Sequence, residues 1–197
     1  MLIFITGGAR SGKSTFAEQY AAKLGREGCY IATAQLYDDE MQGRARLHHD
    51  RRLKAGFPWQ LVEEPFALSE RIAACSEMVH SAEGTPAQTK VVLVDCLTLW
   101  LSNWLLKLSS EHKVEELEQK INELVSALTS CPYPVLVVSN EVGDGIVPEY
   151  PLGRLFRDWA GILNKRVAEV SNQVFLVTAG IPVDLKKLAF SWEEESL

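Results

Sequence analysis

The stretch that most constrains this chain lies at its start. An apolar run from Leu2 to Ile5 passes directly into Gly7-x-x-x-x-Gly12-Lys13-Ser14. Glycines at that spacing after a strand, with a helix opening behind the lysine, form a phosphate-binding loop. Without Cβ atoms, successive backbone N–H groups can converge on a polyphosphate. The new helix adds the positive end of its dipole. Phe16, Tyr20 and Leu24, four apart, predict that helix. The expected nucleotide cradle is Gly7, Gly8, Ala9, Arg10, Ser11, Gly12, Lys13, Ser14 and Thr15. Lys13 is expected to reach the terminal phosphates, and the Ser14 hydroxyl to ligate their Mg²⁺.

The remaining apolar runs predict an α/β fold. Strands are expected over 29–34, 59–63, 91–95, 134–139 and 174–178, the last being the final strand. Helices are expected over 66–78, 97–108, 110–128 and 152–170, and Gly25 and Gly28 read as turn residues. Continuous apolar strands alternating with helices imply a mostly parallel sheet with helices on both faces, of doubly wound or RecA-like type. No linker, repeat or low-complexity tract divides residues 1–197, so a single nucleotide-binding domain is expected.

Three further places carry candidate chemistry. Asp95 ends an apolar strand, the usual position of a second Mg²⁺ determinant in a phosphate-loop protein. Asn140 and Glu141 follow another strand and open a glycine-bearing segment, where open α/β sheets bind ligands. Arg44, His48 and Arg52 fall on one helical face. A solvated charged face is the plain alternative there. An imidazole among arginines can also attack a phosphoryl group near neutral pH while the guanidinium groups hold its oxygens. Trp100 and Trp104 are expected to pack against protein or a subunit interface rather than stack on a ligand.

Composition narrows the partners. A formal net charge of −6 argues against a broad nucleic-acid footprint. Cys29, Cys75, Cys96 and Cys131 have no metal-site spacing, and Cys29, Cys96 and Cys131 read as small buried hydrophobes, a usage that fits a reducing cytoplasm. The first strand begins at once, leaving no room for a signal peptide, and no apolar run reaches membrane-spanning length.

A phosphate loop alone permits a kinase, a motor, a GTP switch or a nucleotidyl transferase. Asn164-Lys165-Arg166-Val167 lacks the acid of the guanine-reading motif of GTP switches. On size and form a small-substrate transferase leads. Beyond these motifs, the chain resembles the bifunctional adenosylcobinamide kinase / adenosylcobinamide-phosphate guanylyltransferase family. The resemblance rests on GGARSGKS, YIATAQ, DDEM, Arg44-x-x-x-His48-x-x-x-Arg52, VVLVDCLTLWLSN and NEVGDGIVPEYPLGRLFRDWAGILN.

That resemblance implies phosphorylation of the corrinoid adenosylcobinamide by ATP or GTP. Transfer of GMP from GTP through a covalent histidine would follow. Motif spacing gives His48 as nucleophile with His49 as runner-up, and Arg44, Arg52, Asn140 and Glu141 as nucleotide-site residues. The resemblance also implies a homotrimer. This chain departs from the family pattern at Lys165, where Gln is frequent, and at Leu53, where Pro is common. A plain small-molecule kinase and a non-catalytic nucleotide-binding regulator are the competing readings.

Overall fold

Residues that alternate along the inner strands divide between two cores, one on either face of a central sheet. In the computed structural model, which describes residues 1–35, 56–77, 90–108 and 113–190, the elements follow one another as β1 (Leu2–Thr6), α1 (Lys13–Leu24), β2 (Glu27–Ala32), β3 (Trp59–Glu63), α2 (Leu68–Glu77), β4 (Lys90–Asp95), α3 (Leu97–Lys107), α4 (Lys113–Ser130), β5 (Val135–Val138), α5 (Pro151–Val170), β6 (Gln173–Thr178), β7 (Ile181–Asp184) and α6 (Leu185–Leu188). The predicted charged segment holding Arg44, His48, His49 and Arg52 lies outside the described residues, as do the 80–89 loop and the acidic tail at 193–195.

The seven strands form one sheet in the order β3-β2-β4-β5-β1-β6-β7. Every pairing is parallel except β6 with β7. Leu2, Phe4, Val92, Val94, Val135 and Val137 face a core completed by α2, α3, α4 and α5. Ile3, Ile5, Val91, Leu93, Leu136 and Val138 face the other, completed by α1. Strands covered on both sides need no polar face, which is why they read as unbroken apolar runs.

The predicted α1 stripe is displaced. Ala17 and Ala21 are fully buried, whereas Phe16, Tyr20 and Leu24 pack at the margin of the core. Small residues let the helix approach the sheet closely. The aromatic pair then wedges beside it, with Phe175 set edge-on against both rings. Trp100 is buried, and the indole N–H groups of Trp100 and Trp104 both donate to the Phe66 carbonyl, at 3.0 and 3.2 Å. Both tryptophans therefore pack within the chain.

Two sequence expectations are corrected. Gly28 is a β2 residue rather than a turn glycine. A Cβ there would meet the Trp59 ring at 2.4 Å and Val91 Cγ2 at 2.9 Å, so close sheet packing requires glycine. The strand at 173–178 is also not the last. Ala179 and Gly180, at φ 51° and 80°, form a two-residue turn into antiparallel β7. Positive φ at both positions gives a turn whose twist suits a hairpin. Pro182 hid this strand, and it is tolerated because β7 is the sheet edge.

Gly28→Ala should destabilise the fold by about 1–3 kcal/mol through overpacking against Trp59. Urea unfolding should show a lower midpoint with an unchanged slope. An unaltered midpoint would mean that the Trp59 ring yields without cost.

Candidate active site

The loop after β1 is shaped by contacts from three directions. Gly7 has φ 147°, and a Cβ on it would lie 2.3 Å from the Val177 carbonyl oxygen. The Gly7 carbonyl accepts the Glu141 N–H at 3.0 Å, while the Ser11 carbonyl accepts the Gly180 N–H at 2.8 Å. Gly12, at φ 98°, caps α1. Arg10 also has positive φ, 58°, and is exposed at the loop's outer side with Gly8 and Ala9. The Ser11 hydroxyl is buried without a hydrogen-bond partner among the described residues. Ser14 and Thr15 are half-buried in the first turn of α1.

Lys13 is buried, and its Nζ donates to the Gly8 carbonyl at 2.8 Å. That bond arches the side chain back over the loop. Burial lowers its pKa from the ordinary 10.5, while nearby Cys96 and Asp95 act in the opposite direction. Asp95 ends β4, half-buried, and its Oδ2 accepts the Tyr30 hydroxyl at 2.7 Å. Tyr30 lies on the adjacent β2, with Trp59 edge-on to its ring. The aromatic pair fixes which way the carboxylate points, a role that sequence reasoning missed.

β5 lies between β1 and β4, which places Ser139, Asn140 and Glu141 between the phosphate loop and Asp95. Asn140 Nδ2 donates to the Thr98 hydroxyl at 3.0 Å, and the Asn140 carbonyl accepts Asn164 Nδ2 at 3.1 Å. Glu141 Oε1 accepts the Gly143 N–H at 2.6 Å. Arg157 donates twice to the Gly143 carbonyl, and Arg154 to the carbonyls of Pro148 and Glu149. These bonds anchor the segment after β5 to α5, while Ile146 at its tip is 97 % exposed. Lys165, a departure from the family pattern, points to solvent beside Glu169.

A second network joins β2 and β4 at their carboxyl ends. The Thr33 hydroxyl donates to the Cys96 carbonyl and accepts the Cys96 N–H, at 2.6 and 2.9 Å. Buried Asn103 donates to the carbonyls of Thr33 and Pro65. Thr33, Thr98, Asn103, Arg157 and Asn164 received no role from sequence reasoning, because a single polar residue in a helix or strand carries no spacing signal. The fold thus brings Gly7–Thr15, Asp95, Asn140 and Glu141 to one end of the sheet. Arg44, His48 and Arg52 fall outside the described residues.

Comparison with known proteins gives the family of the chain. A family model described as cobinamide kinase / cobinamide phosphate guanyltransferase matches residues 3–185. The chain belongs to that family. An Escherichia coli (strain K12) protein named bifunctional adenosylcobalamin biosynthesis protein CobU is 40 % identical over 195 residues, covering 94 % of this chain and 100 % of the relative. The Pseudomonas aeruginosa protein of the same description, CobP, is 40 % identical over 182 residues, covering 92 % and 95 %. Among solved structures, the ATPase domain of a helicase aligns with a TM-score of 0.52 at 11 % identity, over 89 % of this chain and 68 % of that one. This last likeness concerns the fold alone, a RecA-like sheet carrying a phosphate loop.

The buried ammonium of Lys13 has a testable cost. Its lowered pKa means folding disfavours the charged form. The penalty is complete below the folded-state pKa and is relieved as pH rises through it toward 10.5. Lys13→Met should raise Tm by about 2–4 °C near neutral pH, with a gain that shrinks in alkaline buffer. A lower Tm at neutral pH would show that the bond to Gly8 outweighs desolvation.

Proposed function

We propose that this chain phosphorylates adenosylcobinamide with ATP or GTP and then transfers GMP from GTP to the product, giving adenosylcobinamide-GDP. The observation that carries this reading is the family match over residues 3–185, in a chain whose phosphate loop, buried Lys13 and Asp95 lie at one end of the sheet. The curated relatives bear names of adenosylcobalamin biosynthesis, which supports a corrinoid substrate.

In the kinase step the corrinoid's alcohol oxygen attacks the γ-phosphorus, its proton passes to solvent, and the bond to the β,γ-bridging oxygen breaks. Loop N–H groups and Lys13 stabilise the charge gathering on the leaving diphosphate. In the second reaction a His48 nitrogen attacks the α-phosphorus of GTP and pyrophosphate departs. The phosphate oxygen of the corrinoid then displaces the imidazole from that phosphorus, releasing adenosylcobinamide-GDP and restoring the histidine. Arg44 and Arg52, on the same predicted face, neutralise phosphate oxygens during the attack.

Ser14 and Asp95 suit a Mg²⁺ ion, since both offer oxygen donors and the Tyr30 bond occupies only one side of the carboxylate. Bound there, Mg²⁺ supplies charge neutralisation of the phosphates. Asn140 and Glu141 complete the nucleotide site. Their positions between the loop and Asp95 support this, although their side chains also brace the following segment.

The chain acts as one domain, consistent with the single sheet, and as a homotrimer. Exposed apolar side chains at Ile146, Val147, Ile181, Leu188 and Phe190 support association. A cytoplasmic setting fits four cysteines held outside disulfides. Among the described residues, no helix is long and apolar enough to cross a membrane.

Incubation with Mg²⁺ and α-labelled GTP, followed by denaturation, should leave label on the protein. The label should be acid-labile and base-stable, as a phosphoramidate is, and should vanish in His48→Ala. Loss in His49→Ala instead would move the nucleophile by one residue. γ-Label on product with no α-label on protein would establish the plain kinase.

Lys13→Ala should lower both activities at least roughly tenfold, ~1.4 kcal/mol of transition-state stabilisation, whereas His48→Ala should spare most of the kinase step. Loss of only one activity in Lys13→Ala would assign the reactions to separate nucleotide sites. Loss of both in His48→Ala would end its assignment as a dedicated GMP carrier.

A further inference from the structure

At the opposite end of the sheet from the phosphate loop, a cavity of about 310 Å³ opens beside the amino ends of β2, β3 and β4, lined among others by Cys29, Trp59, Cys75, Lys90 and Tyr133. The two thiols come from β2 and α2, 46 positions apart in sequence, and the Cys75 thiol donates to Cys29 Sγ at 3.4 Å. Both cysteines are buried and neither is in a disulfide. The Tyr133 hydroxyl is buried with no hydrogen-bond partner among the described residues, as is Nε of Arg71 on α2. The proposed nucleotide chemistry uses none of these groups.

The pair is asymmetric. The hydrogen bond from Cys75 holds the Cys29 thiol below its ordinary pKa, against the effect of burial and with help from the Arg71 charge. The same bond, with burial, drives the Cys75 thiol far upward. Burial also raises the Tyr133 hydroxyl, which keeps it an O–H donor. Cys29 is thus the nucleophile and Cys75 its neutral neighbour.

We propose that Cys29 and Cys75 form a peroxide-reactive modification site, in which a small hydroperoxide enters the cavity and oxidises the pair to a disulfide joining β2 to α2. With hydrogen peroxide, Cys29 thiolate attacks one oxygen and the O–O bond breaks. The departing hydroxide takes a proton from solvent in the cavity and leaves as water. Cys29 is left as a sulfenic acid. Cys75 sulfur then attacks Cys29 sulfur, the S–O bond breaks, and the hydroxyl leaves with the Cys75 proton as a second water. Overall two thiols and one peroxide give one disulfide and two waters. The sulfurs close by roughly 1.4 Å to reach bonding distance. The closed loop contains the segment with His48, so oxidation ties down both ends of the stretch that carries the proposed GMP acceptor.

The test treats the reduced full-length chain with a few equivalents of hydrogen peroxide, then alkylates and maps peptides under denaturing conditions. The expected result is a mass loss of about 2 Da, a peptide linking Cys29 to Cys75, and alkylated thiols at Cys96 and Cys131. Tm should rise by roughly 5 °C or more, because the cross-link restricts the unfolded chain, and dithiothreitol should reverse both changes. In Cys75→Ser, the sulfenic acid should persist on Cys29 and be captured by dimedone. In the reduced wild-type chain, brief treatment with limiting iodoacetamide before denaturation should label Cys29 at least about tenfold faster than Cys75, as expected for the more readily ionised thiol. Four intact thiols after peroxide treatment, or a disulfide through Cys96 or Cys131, would overturn the proposal. Equal labelling of Cys29 and Cys75 would overturn the assignment of the nucleophile. The wild-type peptide map stands even if a variant fails to fold, and none of these readouts depends on turnover of a corrinoid.

Discussion

Two backbone hydrogen bonds hold the phosphate loop in shape, and neither partner is near it in sequence. The Glu141 N–H reaches the Gly7 carbonyl from the end of β5, and the Gly180 N–H reaches the Ser11 carbonyl from the hairpin beyond β6. β5 and β6 are the two neighbours of β1, so sheet order itself supplies the braces. The Val177 carbonyl leaves no space for a side chain on Gly7. A loop fixed this way presents its N–H groups without reorganising when charge develops, which is where most electrostatic catalysis originates.

The same strand order sets how far Asp95 lies from the loop's own strand. β5 separates β1 from β4, and strands lie about 4.8 Å apart, so that distance is roughly 10 Å. Several polar side chains here are held in bonded groups, while the hydroxyls of Thr6, Ser11 and Ser139 and Asn164 Oδ1 are buried without a partner among the described residues. Thr98 joins Asn140 to the start of α3, Asn164 ties Asn140 to α5, and Thr33 with Asn103 ties β2 to β4. Each paired group avoids the penalty of a buried orphan, and together they hold helices of one face against the carboxyl ends of the strands.

The two ends of the sheet differ in their chemistry. At the carboxyl ends, hydroxyls, amides and a buried ammonium converge around the loop. At the amino ends, two thiols, a lysine and a tyrosine line a cavity. The parallel strands β1 to β6 explain the segregation, since their connections leave from one end of the sheet and return at the other.

The sequence by itself determined the strand-loop-helix unit, the α/β class and the family, because these rest on local spacing. Glycines, lysine and serine must sit at fixed offsets for a loop to bind phosphate, and unbroken apolar strands require cover on both faces. It also marked Asp95, Asn140 and Glu141, which stand at strand ends where an α/β sheet exposes its chemistry. Only the tertiary structure decided which strands are neighbours, and with that the pairing of Tyr30 with Asp95, the clamps from Arg154 and Arg157, and the contact of Cys29 with Cys75. β7 was hidden by Pro182, and the role of Gly28 by the ring of Trp59, a residue on a different strand. Such features arise from contacts between distant segments, and no periodicity along the chain records them.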